Sequence, residues 1–390
     1  MRSDVRADWP LRRLTDLVSL PVGQVDPRTE PYRSRVLLAP DHIEPRTGKI
    51  IKRESAADQG ASSGKYVVQP GDVIFSKIRP ALRKVALADF SGTCSADMYP
   101  LRPGEEITSG FLVVVLLSEH FSRYVESLSG RTGIPKVNRF DLAGYFFQLP
   151  PLEEQRRIVE VVDAVSAEER AIESSIAKLK TLQAVVTESL LMQLSWGSTL
   201  REVVAGPPRN GYSPVETDAW TGVQMLALGC LTKDGFSPIQ LKNAPSERLA
   251  SHRTVLSDGD LLMSRANTRE LVGLAGVYRD IGTPCLYPDL MMRIRPSSEC
   301  SAEFLSIVLR SDRSRRAIQA MAQGTSESMV KISAGSIQNL PVPLLGFSEQ
   351  RRVLDATAVF DVELEQSKIE IAKLRRLKAG VLDQLLAGRA

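Results

Sequence analysis

Two basic stretches hold the residue types best suited to chemistry. Lys77 and Arg79 follow the apolar run 73–75, with Arg83 and Lys84 just beyond, and Lys136, Asn138 and Arg139 stand after a glycine-rich loop that also carries Arg131. In the second half Ser264, Arg265, Asn267 and Arg269 follow the apolar run 261–263, and Lys331 lies in a second glycine-flanked loop. Lysine and arginine neutralise phosphates, and Arg or Asn also pairs bidentately with guanine or adenine edges, so these clusters suit a nucleic-acid face.

Residues for bond-making chemistry form no such pattern. Cys94, Cys230, Cys285 and Cys300 make no C-x-x-C, and His42, His120 and His252 have no second histidine or cysteine at ligand spacing, so neither a disulfide framework nor a zinc site is expected. The phosphate-cradling G-x-x-x-x-G-K-[ST] and the nucleophile elbow G-x-S-x-G are missing. A methyl-transfer enzyme would need a glycine-rich cofactor loop and an acidic or Asn-Pro-Pro tetrapeptide; Asn339-Leu340-Pro341 lacks the second proline and the aromatic. Asp258 and Asp260 have no E-x-K partner and read as a turn and strand start, while Glu153, Glu154, Glu168 and Glu169 read as helix charges. The expectation is a binding protein with no catalytic residue, metal or cofactor of its own.

The elements that position these residues occur twice. EQRR at 154–157 returns at 349–352, and KLKTLQAVVTESLL at 178–191 returns as KLRRLKAGVLDQLL at 373–386. Lys136 and Lys331 share that same spacing; PGDVIFSKIRP at 70–80 resembles DGDLLMSRANT at 258–268, and DMYPLRP at 97–103 resembles DLMMRIRP at 289–296. Each copy is a mixed α/β lobe followed by a proline-free stretch of about 40 residues with heptad spacing. Ile158, Val165, Ile172, Leu179 and Val186 recur every seventh residue, flanked by Val162, Ile176 and Leu190. Val353, Phe360, Leu374 and Val381 repeat the series with Ser367 as an interruption, supported by Leu364, Ile371 and Leu385. Sustained heptads with charged flanks predict a coiled coil. The fold expected is α+β: two tandem α/β lobes, each followed by a long helix, the two helices pairing antiparallel. Within the lobes, 67–78 and 260–263 read as strands behind turns, and 109–129 and 302–323 as single helices.

Length and charge agree with this plan. A chain of 390 residues suits two or three domains. The longest apolar run, 111–117, is far short of the roughly 20 residues that span a membrane. The N-terminus has no secretory h-region, so a soluble cytoplasmic protein is expected. The net charge is only +4, but residues 152–196 carry −3 and 348–390 carry +1, leaving +6 for the two lobes.

With these motifs in place the chain resembles the specificity subunits of type I restriction–modification systems. The resemblance rests on P-L-E-E-Q-R-R-I-V from Pro151, its partner S-E-Q-R-R-V-L from Ser348, G-x-x-G-I-P-K from Gly130 and P-G-D-x-x-F-S from Pro70. It covers the full chain and implies target-recognition domains at 1–151 and 197–345, with spacer helices at 152–196 and 346–390. It further implies that each lobe reads one half of an asymmetric bipartite double-stranded DNA sequence, the half-sites roughly one helical turn, about 34–36 Å, apart. The helices would dock two DNA-methyltransferase (modification) subunits carrying S-adenosylmethionine, with ATP-dependent restriction subunits as further partners in phage defence. The second half departs from the pattern: residues 324–331 lack G-I-P and 344–348 replace P-P-L-E-E. A coiled-coil protein-interaction scaffold is the alternative from another class, and a fused DNA-modifying enzyme with a diverged site a third.

Overall fold

The computed structural model describes residues 9–128, 136–246, 253–324 and 329–386. They form two compact units, residues 1–174 with 368–390 and residues 175–367, so each unit takes part of both long helices.

In the first unit a four-stranded antiparallel sheet is built from β1 (Val18–Ser19), β2 (Val73–Ser76), β3 (Val85–Leu87) and β4 (Met98–Pro103), ordered β1-β4-β2-β3. Strand β2 is buried on both faces, so it reads as an unbroken apolar run rather than an alternation. Val73 and Phe75 face one core and Ile74 the other. The second core is closed by a smaller sheet of Leu37–Leu38, Gly92–Cys94 and Tyr66–Val68. The Pro70-Gly71-Asp72 turn before β2 needs Gly71 at φ +93°, and the Asp72 carboxylate accepts from the Gln69 N–H at 2.8 Å and from Arg102.

Residues 109–129 do not form one helix. The stretch breaks into α1 (Ser109–Leu117) and α2 (Glu119–Ser127), because the Ser118 hydroxyl accepts from the Phe121 N–H and starts a new helix. A short α3 (Arg139–Ala143) follows, and then α4 (Leu152–Met192).

The second unit repeats the plan. Strands β5 (Arg209–Asn210), β6 (Leu261–Ser264), β7 (Ala275–Val277) and β8 (Met291–Ile294) are ordered β5-β8-β6-β7. The expected single helix over 302–323 is again two, α5 (Ala302–Arg310) and α6 (Asp312–Met321), broken by Ser311, whose hydroxyl accepts from the Ser314 N–H. Helices α7 (Ala334–Ile337) and α8 (Phe347–Leu386) complete the chain. The lobes diverge in the small sheet: a parallel pair recurs, but the third strand, Leu241–Asn243, joins the other member of that pair.

The long helices pack together antiparallel as a coiled coil. In the first unit Ser166 and Glu169 meet Lys378, and Glu173 meets Arg375 at 2.5 Å, rising along α4 and falling along α8. In the second, Gln183 donates to Asp361 at 2.7 Å, and Leu191 and Val353 share one core. The heptad positions 158, 162, 165, 169, 172, 176, 179, 183, 186 and 190 of α4 are all sheltered. On α8 the sheltered series is 353, 357, 360, 364, 367, 371, 374 and 378. Val381 departs from the expectation. It is 38% exposed, and Leu382 takes the buried place in the first core. A 3.6-residue helix drifts against a strict 3.5 repeat, and here the seam gives way to packing on the lobe. Among the described residues no helix is long and apolar enough to cross a membrane, and no cluster of three or more His, Cys, Asp or Glu could hold a metal.

Candidate nucleic-acid interface

Both lobes build the same backbone frame where their central strand ends. Ser76, last in β2, is buried, and its hydroxyl donates to the Ile78 carbonyl at 3.1 Å. Next to it the Lys77 N–H donates to the Asp97 carbonyl at 3.0 Å, and the Lys77 carbonyl accepts from the Val137 N–H at 2.8 Å. Ile78 bridges Lys136. In the second lobe the Ser264 hydroxyl points to the Ala266 carbonyl at 3.5 Å. The Arg265 N–H donates to the Leu290 carbonyl at 2.8 Å, its carbonyl accepts from the Ile332 N–H at 2.9 Å, and Ala266 pairs with Lys331. Lys77 therefore corresponds to Arg265, and Lys136 to Lys331.

The strand pairing also fixes a register that sequence similarity places one residue off. Ser76 opposes Met98 and Ser264 opposes Met291, so Leu290, not Asp289, occupies the place of Asp97. The turn aspartate keeps an ion pair in both lobes, but the buried Asp72 takes Arg102 and the half-buried Asp260 takes Arg293, an arginine two residues earlier along the strand.

Around this frame the first lobe gathers cations on one ring. The Lys77 ammonium lies 4.8 Å and the Arg139 guanidinium 5.8 Å from the centre of Tyr99. Burial raises the Tyr99 phenol above its ordinary pKa, keeping the ring neutral beneath them. Lys136 reaches Asp97 at 3.5 Å. Arg79 is exposed and sits in the left-handed region at φ +49°, opening the turn Pro80–Leu82. A non-glycine residue held there stores local strain of the kind that collects at functional loops.

Other residues of the basic stretches serve the scaffold. Arg83 forms a two-pronged pair with Glu119 at 2.7 and 2.6 Å, and Lys84 donates to the Pro40 carbonyl. Asn138 caps α3, exchanging bonds with Asp141, while Arg139 also donates to the Pro21 carbonyl at 2.8 Å. In the second lobe Ser264 is fully enclosed, so its hydroxyl shapes the loop and is not presented at the surface. Arg269 donates to the carbonyls of Gln319 and Ala322 at the end of α6, and the Asn267 side chain accepts from the Thr268 N–H. Among the described residues the Arg265 side chain makes one long hydrogen bond, 3.4 Å, to the Asp289 carbonyl, and its Nε is buried with no partner there. Lys331 is exposed. Arg131, with the rest of 130–135, and His252 lie outside the described residues.

Sequence reasoning missed Asp97, in the turn before β4, and Tyr99, on β4, neither of them in the basic motif. It also quoted the helix-opening glutamines without seeing their use. Gln155 Oε1 accepts from the Thr108 N–H, and its amide donates to the Glu106 and Pro150 carbonyls. Gln350 does the same with Ser301, Glu299 and Leu345. Each glutamine thus ties the head of a long helix to the cap of the lobe helix in front of it.

Each unit thus joins a lobe with a basic strand end to its share of the paired long helices. Residues 36–181 match the family model described as the type I restriction modification DNA specificity domain. The chain is 34% identical over 182 residues to the specificity subunit of the type I restriction enzyme EcoDI from Escherichia coli, covering 45% of this chain and 40% of that subunit. It is 26% identical over 318 residues to the EcoKI specificity subunit from Escherichia coli strain K12, covering 74% of this chain and 67% of that one. The chain thus spans 40% of the first relative's length and about two thirds of the second's. A solved chain from a study of complex assembly and conformational transition in a type I restriction–modification system superposes with a TM-score of 0.63 at 22% identity, covering 97% of both chains, a likeness of fold. Over these stretches the chain is similar to the specificity subunits of type I restriction–modification systems, and residues 36–181 carry the likeness to their DNA specificity domain.

Proposed function

We propose that this chain is the non-catalytic subunit that reads the DNA target of a type I restriction–modification complex, one lobe per half-site of an asymmetric bipartite sequence. The observation that carries the reading is the shared strand-end frame, which holds different side chains in the two lobes. Lys77 and Lys136 beside Tyr99 and Asp97 stand in one; Arg265 and Lys331 beside Leu290 stand in the other. One scaffold with two sets of contacts suits two different half-sites. A good bidentate base contact discriminates by about 1–3 kcal/mol, and two linked lobes multiply their selectivities because the second engagement is intramolecular. Arg79, Lys136, Arg139, Arg265, Asn267 and Lys331 are the proposed DNA contacts, with the buried Lys77 and Ser264, and with Asn138 and Arg269, shaping the loops that carry them.

The helices dock two modification subunits, which bring S-adenosylmethionine and the methyl-transfer chemistry; restriction subunits bring ATP hydrolysis. Exposed apolar side chains on the outer faces of α4 and α8, among them Val161, Leu182, Val185, Val359 and Val362, support such docking. The test is a native pull-down with mass spectrometry, followed by duplex binding of the recovered complex across a salt series. Recovery of a methyltransferase and a steep fall of affinity with salt, as condensed counterions are released, are the expected results. Recovery with unrelated proteins and no saturable DNA binding would overturn the proposal in favour of a protein-interaction scaffold.

A further inference from the structure

A carboxylate stands in the middle of the cationic face of the first lobe. Asp97 has its backbone fixed on both sides, its carbonyl accepting from the Lys77 N–H at 3.0 Å and its N–H donating to Ser95 Oγ at 3.2 Å. Its side chain stands out 47% exposed, 3.5 Å from the Lys136 ammonium, a separation long for a hydrogen bond. Lys65 lies near enough to feel the same charge, and Lys77 and Arg139 sit on the adjoining Tyr99 ring.

A negative charge here works against phosphate binding, since it repels the backbone of every DNA sequence alike. The fold does not require it. In the second lobe Leu290 holds the same position, and its carbonyl accepts from the Arg265 N–H in the same way. The neighbouring Asp289 is engaged elsewhere, accepting from Ser213 Oγ at 2.5 Å. What a carboxylate offers that the surrounding cations do not is a hydrogen-bond acceptor for the exocyclic amino group of a base in the major groove, cytosine N4 above all. We propose that Asp97 is a specificity-determining residue of the first lobe, accepting from one base amino group while the exposed Lys136 and Arg139 hold the flanking phosphates. The inference rests on the DNA-reading function proposed above.

The experiment uses the full chain with its modification subunits and maps methylation over a duplex library of random sequence. The wild-type complex should return two half-sites; a wild type that returns none defeats the DNA-reading proposal itself. Given two half-sites, Asp97→Ala and Asp97→Leu should relax one base pair of one half-site tenfold or more and leave the other half-site unchanged. Removing the amino group of that base, with purine for adenine or 2-pyrimidinone for cytosine, should cost the wild type tenfold and cost Asp97→Ala nothing further. An unchanged motif would overturn the assignment. So would a uniform loss over all sequences, which would reduce Asp97 to positioning Lys136, or a uniform gain, which would reduce it to charge compensation. The base-analogue arm on the wild type decides the matter even if a variant fails to fold.

Discussion

Gln155 and Gln350 make the same three hydrogen bonds at the heads of the two long helices. Each joins the N–H of a lobe-helix cap, a carbonyl two residues before that cap and a carbonyl five residues before itself. Both side chains are buried. The glutamine of the repeated E-Q-R-R motif is therefore a joint that sets how each helix leaves its own lobe.

Gln155→Ala leaves a buried N–H and two carbonyls without their partner. At about 1–3 kcal/mol for a buried group left unsatisfied, the variant should lose roughly 2–4 kcal/mol. Urea unfolding of the full chain would show this as a lower midpoint, and Gln350→Ala should behave alike. A midpoint within error of wild type for either variant would contradict the joint.

His120 gives the first unit a pH dependence of stability. Its ring nitrogen is 2.7 Å from the Tyr145 hydroxyl, and burial, with Arg123 nearby, holds its pKa below the ordinary 6.5 against the opposing pull of Asp383. The unfolded chain then binds the proton more readily than the folded one. This contribution to stability is complete above about pH 6.5 and is lost as pH falls below it towards the depressed folded value. Urea midpoints at pH 7.5 and 5.5 should differ more for wild type than for His120→Gln. Equal differences would rule out His120 as the source.

Glu169 and Lys378 place a charged pair in the helix seam, 3.3 Å apart and mostly sheltered, with Lys378 also bound to Ser166. Glu169 Oε1 is already buried with no partner among the described residues. Lys378→Ala should therefore cost about 1–2 kcal/mol, below the full penalty for a deeply buried pair because both groups keep some solvent. Replacing both residues by leucine should restore stability while loosening the register that the polar pair specifies. Unfolding midpoints give the first effect, and disulfide trapping of cysteines placed along α4 and α8 gives the second. A double leucine variant less stable than Lys378→Ala would contradict the argument.

Arg265 and Lys331 should separate by readout. Arg265→Ala should weaken binding to the target and relax one half-site, whereas Lys331→Ala should weaken all duplexes alike and reduce the salt slope by about one unit. Fluorescence anisotropy over a salt series distinguishes them. Equal loss of specific and random binding for Arg265→Ala would make it a phosphate contact, and no loss would remove it from the interface.

The body of the molecule was legible in the sequence because heptads state burial directly. Every expected seam residue of α4 is sheltered, and on α8 the series fails among the described side chains at Val381, where helical drift hands the buried place to Leu382; Leu385 lies outside them. The lobes were less legible because their strands are two to six residues long and β2 and β6 are buried on both faces, which erases the alternation that marks a strand. The helix break at Ser118 was hidden by apolar residues close on both sides of it, and the break at Ser311 by a polar stretch, 310–316, that an unbroken helix could equally carry on its surface. Basic residues pointed to the strand-end loops but not to the bonds made there, since Arg269 and Asn138 spend polar groups on backbone. Asp97 could not be found by looking for positive charge.

The measurement that reaches the central claim most directly is single-molecule sequencing of methylated adenines in cells holding the complex with and without this chain. The account predicts methylation confined to one asymmetric bipartite motif and its complete loss when the chain is removed. Methylation that persists on the same motif without the chain, or an absence of any motif that depends on it, would contradict the account.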